Sequence, residues 1–105
     1  MPKPVGMPSS VKVGPHVYSL LRKPASAMPN TLGVCDDSLL QICIRQKMRR
    51  SKAKEVLLHE VLHACSHLTL SSFGKRAEED FVEAITPTLL QVLQDNPELL
   101  EYLVQ

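Results

Sequence analysis

The chain has 105 residues, 44% hydrophobic and 22% charged, with a net charge of +1. That length and balance suit one small soluble domain and exclude a disordered or collagen-like chain. No apolar run approaches the roughly 20 residues that span a bilayer, and MPKPVGMPSS at the start lacks the apolar stretch of a signal peptide.

Trp is absent and aromatics reach only 4%, so the core must be aliphatic. Cys35, Cys43 and Cys65 make no even disulfide set and contain no CxxC, so reduced thiols and a cytoplasmic location are expected. Residues 1–54 carry ten basic and two acidic side chains, and residues 78–105 carry seven acidic and no basic ones. Such asymmetry suits two halves that attract one another better than a nucleic-acid surface, because no aromatics interleave with the basic residues.

In chain order, residues 1–10 hold three prolines and two serines and read as a flexible arm, leaving 11–105 as the single domain. VKVGPHVYSLL (11–21) reads as one or two strands broken at Gly14-Pro15. KPASAMPNTLG (23–33) reads as a loop. SLLQICIR (38–45) is the best strand, with Leu40, Ile42 and Ile44 alternating with Gln41, Cys43 and Arg45. RQKMRRSKAK (45–54) holds six basic residues and reads as a solvated connector.

Ser51 is placed to cap a helix running to Leu68 or Thr69, although Lys52 and Lys54 oppose the helix dipole in its first turn. A second helix is predicted from Lys75 or Ala77 to Leu93, kinked at Pro87. Asp95-Asn96-Pro97 would cap a short third helix. Strands first and helices after make the class α+β.

The chemistry lies in HEVLHACSH (59–67). At about 100° per residue, Leu57, Leu58, Val61, Leu62, Ala64, Cys65 and Leu68 share one broad side, and His59 and His63 share the other. Two imidazoles one turn apart suit a zinc ion, which takes nitrogens at about 2 Å. Glu60 falls at the edge of that face, placed to act as general base toward a water on the metal. This is the HExxH pattern. On an unbroken helix His67 sits about 6 Å further along the axis than His63 and does not share the ion, so it is left to the cleft or the surroundings of the ligands.

HEVLHACSH, with a strand before it and an acidic helix after it, resembles the zincin metallopeptidases, and among them is most similar to the gluzincins. LGVCDDSLLQICI and FVEAITPTLLQVLQDNPELLEYL are similar to small HExxH proteins encoded in bacteriophage genomes. The resemblance implies a small zincin-like domain with a short N-terminal sheet, the HExxH helix and C-terminal helices. It implies a zinc-dependent peptidase acting on a peptide or protein substrate, in the host cytoplasm if phage-encoded.

The resemblance also implies a third ligand from a Glu on the following helix. Glu79 fits the downstream pattern best, with Glu83, Ile85 and Thr86 at the matching positions; Glu78 is the alternative ligand. Glu83 would then orient a metal-bound His. The 41–45 strand resembles the zincin edge strand, which would pair with an extended peptide. Only Tyr18, Tyr102, His16 and His67 could serve an oxyanion, and the tail PELLEYLVQ could cover the site. No membrane partner and no nucleic acid are expected. The alternatives are a non-catalytic zinc-stabilised binding module and a nucleic-acid-binding accessory protein using Arg45 to Lys54.

Overall fold

The computed structural model describes residues 6–69 and 78–105, without the side chains of Glu78, Glu79, Asp80 and Val82. It is an α+β domain in which a four-stranded sheet precedes three helices. The strands are β1 (Ser10–Val13), β2 (His16–Lys23), β3 (Gly33–Asp36) and β4 (Gln41–Arg45), ordered β1-β2-β4-β3. The helices are α1 (Arg50–Thr69), α2 (Glu78–Asp95) and α3 (Pro97–Val104). The expected start of the second helix, at Lys75 or Ala77, lies outside the described residues.

β1 and β2 form an antiparallel hairpin in register Val11 to Tyr18. Its turn is Gly14-Pro15, with Gly14 at φ +60°, a conformation that favours glycine. A Cβ on Gly14 would also meet the Leu68 side chain of α1. β2 pairs parallel with β4 and β3 pairs antiparallel with it. The 41–45 strand is therefore internal, and the sheet ends at β3. This corrects the expected edge strand, because the segment 24–32 carries the chain past β4 before it turns back. β3 was not predicted, its Gly33 being read as the end of the 23–33 loop: GVCD is too short to display alternation.

Alternation puts Val11, Val13, Tyr18, Leu20, Ile42 and Ile44 on one face of the sheet, all buried. α1 covers that face with Ala53, Val56, Leu57, Val61, Ala64 and Cys65, and Ile85, Val92, Leu99 and Tyr102 complete the same cluster. Leu58, Leu62 and Leu68, expected in the core, are 37%, 37% and 42% exposed. The buried stripe is rotated toward Val56 and Glu60 because α1 packs close against β3, where Gly33 presents no side chain.

The N-terminal segment is tied in by Met7, which packs against the core, and by Ser10, the first residue of β1. Asn96 starts α3 but makes no capping bond with its side chain. Its Oδ1 accepts the Lys12 N–H at 2.9 Å, and its Nδ2 donates to the carbonyls of Lys12 (2.9 Å) and Val92 (2.7 Å). Leu20 N–H bonds Ser9 C=O across the hairpin, so Lys12 turns both its backbone groups away from β2. The Asn96 amide thus occupies the β1 edge as a neighbouring strand would. Beside it Lys12 pairs with Asp95 at 3.3 Å, one contact between the basic and acidic halves.

The cations that oppose the α1 dipole have other partners. Arg50 and Lys54 lie 5.0 and 5.9 Å from the Tyr102 ring centroid, and Lys54 donates to the Gln105 carbonyl. Arg50 and Lys54 are on the side of α1 opposite His59 and His63. The C-terminal helix therefore packs away from the histidine pair, and a covering role for PELLEYLVQ is not what the fold provides.

Candidate metal centre

His59 and His63 sit one turn apart on the exposed side of α1, as i, i+4 neighbours must. Their Nε2 atoms are 3.1 Å apart, with ring centroids 4.8 Å apart and planes at 73°. Two nitrogens held about 2.1 Å from one tetrahedral zinc lie about 3.4 Å apart. The observed 3.1 Å is close to that separation. The pair therefore fits a zinc ion.

Glu60 differs from its expected place at the edge of the exposed face. It is only 7% exposed, the one buried charged side chain among the described residues. Its side chain lies against Gly33 of β3. It opens on a cleft of about 570 Å³ between the 29–33 segment and α1, lined by Asn30, Thr31, Gly33, Lys52, His59 and Glu60 among others.

No third metal donor joins the histidines among the described side chains. Glu78 and Glu79 occupy the first turn of α2, and their side chains lie outside the described residues. Glu83 is an exposed residue of α2. His67 lies beyond the cleft and lines a separate cavity of about 130 Å³ with His16, Tyr18 and Asp37. There the Tyr18 hydroxyl donates to Asp37 at 2.6 Å; burial first, and then Asp37, push its phenol far above the usual value. Tyr102 is buried under Arg50 and Lys54. None of the four residues considered for an oxyanion therefore lines the cleft.

The 29–33 segment carries site residues that sequence reasoning passed over. Arg45 N–H bonds the Leu32 carbonyl across the β3–β4 ladder, so Gly33 turns its own N–H and C=O outward. The Thr31 hydroxyl takes both, donating to the Gly33 carbonyl at 2.7 Å and accepting the Gly33 N–H at 3.3 Å. The available signal was Thr31 and Gly33 two residues apart, a local hydroxyl-to-backbone pattern.

Cys35 follows on β3, facing α1. Burial, and next the charge of Glu60, push its thiol up to about 11. Unfolding releases that thiol to its ordinary value of 9.0, so its stabilising contribution is complete below pH 9 and lost as pH rises through about 11. Denaturant melts of zinc-free protein at pH 8 to 11 are expected to show a shallower loss for Cys35→Ala than for wild type. Cys65, whose thiol burial also pushes up, remains in the variant, so the loss is reduced rather than removed. Parallel pH curves would count against the Cys35 assignment.

No protein-family model matches the chain, and neither a curated protein nor a solved structure matches it.

Proposed function

We propose that the protein is a zinc-dependent metallopeptidase, with His59 and His63 holding the metal, Glu79 as third ligand and Glu60 as general base. The convergence of the His59 and His63 nitrogens beside a Glu60 side chain that opens on the cleft is the observation that carries this reading. A carboxylate at the floor of a cleft is placed to take a proton.

When bound, zinc supplies Lewis acidity toward a water and toward a carbonyl. Glu60 accepts a proton from the attacking water and returns it to the leaving amine nitrogen. The imidazoles of His59 and His63 would contribute two nitrogen donors to the ion. The cleft beside β3 accommodates the substrate chain.

Elemental analysis tests the ligand set. Wild type is expected to bind about one zinc per chain and His63→Ala essentially none. Glu79→Ala is expected to lose the ion and Glu78→Ala to keep it. A wild type without metal after incubation with zinc would sink the reading.

The basic run offers little to a nucleic-acid reading. Arg45 donates to the carbonyls of Met28 and Pro29, Lys52 pairs with Glu55, and Arg50 and Lys54 lie over Tyr102. As for a membrane partner, no helix among the described residues is long and apolar enough to cross a bilayer.

A further inference from the structure

We propose that Gly33 is a positioning residue, whose missing side chain forms the seat of the Glu60 carboxylate. The proposal rests on the reading of Glu60 as general base.

A Cβ built on Gly33 would lie 3.0 Å from Glu60 Oε2, 3.1 Å from Glu60 Cγ and 2.6 Å from Val56 Cγ1. The last is closer than carbon atoms pack, and the first two require the carboxylate to give way. On its inner side Gly33 pairs with Ile44 of β4, which is fully buried in the core. On its outer side the Thr31 hydroxyl takes up the Gly33 N–H and carbonyl. The Glu60 carboxylate, the far end of a flexible side chain that opens on the cleft, is therefore the group that gives way most easily to a side chain at position 33.

The direction of that displacement matters. Glu60 is enclosed by the core on one side and open to the cleft on the other. A methyl group at position 33 drives the carboxylate outward along the cleft, away from the place it takes against β3. A general base works only when it is held within about 0.5 Å of its productive position. Gly33 thus sets the geometry of Glu60 without touching substrate.

The Val56 contact separates this role from simple packing. Gly33→Ala alone collides with Val56, and its loss of stability would obscure the effect on Glu60. Gly33→Ala/Val56→Ala removes the collision and leaves the contact with Glu60. Val56→Ala alone is the reference.

Relative to that reference, the double variant is expected to keep its zinc content and its KM. Its kcat on a quenched fluorescent peptide that wild type cleaves is expected to fall about tenfold. Crystal structures of the two variants are expected to differ by more than about 0.5 Å in the Glu60 carboxylate. An unmoved carboxylate overturns the proposal. So does a double variant that turns over like Val56→Ala. A wild type that cleaves no peptide refutes the metallopeptidase reading instead, and the crystal comparison still decides the seat.

Discussion

Glu60→Gln is expected to lower kcat for peptide hydrolysis by about 10²–10⁴-fold while the protein keeps its zinc. Gln preserves the length and shape of the side chain and loses only its capacity to take a proton. The histidine nitrogens 3.1 Å apart are untouched by the change, so metal content is the internal control. In the zinc-free protein the same substitution is expected to cost little stability, because Glu60 opens on the cleft and no described residue pairs with its carboxylate. Lost activity in a protein that melts like wild type marks a residue kept for chemistry. Full activity in Glu60→Gln would refute the mechanism. A lower melting temperature would show that the carboxylate is structural.

The largest effect on folding without any loss of core volume is expected from Asn96. Its amide joins the β1 edge to the end of α2 through three hydrogen bonds, two to Lys12 and one to Val92. Asn96→Ala leaves those groups to water or to nothing, at about 1–3 kcal/mol, and is expected to lower the melting temperature by about 10 °C. Asn96→Asp discriminates between two roles for the residue. Asp is a strong helix N-cap, and a capping role would leave it as stable as wild type. Closure of the strand edge requires the amide donor, and a carboxylate would set oxygen against the carbonyls of Lys12 and Val92. Asn96→Asp is therefore expected to be at least as damaging as Asn96→Ala. An Asp variant that melts with wild type would return Asn96 to the cap.

Both predictions concern residues whose kind was legible in the sequence and whose setting was not. HExxH at helical spacing is local information. Residues four apart on a helix must be neighbours, so His59 and His63 could be paired before any fold was known. Asn96 stood out for the same reason, as a cap candidate before Pro97. Its bonds to Lys12, 84 positions away, belong to no local pattern.

The wheel that separated the histidines from the core assigned Leu58 and Leu62 inward and Glu60 to the rim. It averaged hydrophobicity and could not include the partner surface. The partner is β3, a strand of four residues containing one glycine, and its closeness turns Val56 and Glu60 inward instead. The edge strand was misplaced for a related reason. Alternation reports which face of a strand is covered and not which strands lie beside it, so the pattern in β4 carried no information on its place in the sheet.

By itself, the sequence determined that strands precede helices, the α+β class, the turn at Gly14-Pro15 and the histidine pair, all consequences of neighbours within one or two turns of chain. The tertiary structure alone decided which strand lies at the edge, that Glu60 is buried against Gly33, that Thr31 closes the outer side of that strand, and that the C-terminal helix packs on Arg50 and Lys54, leaving the histidines open. Each of these depends on contacts between segments distant along the chain, where geometry rather than periodicity selects the partner.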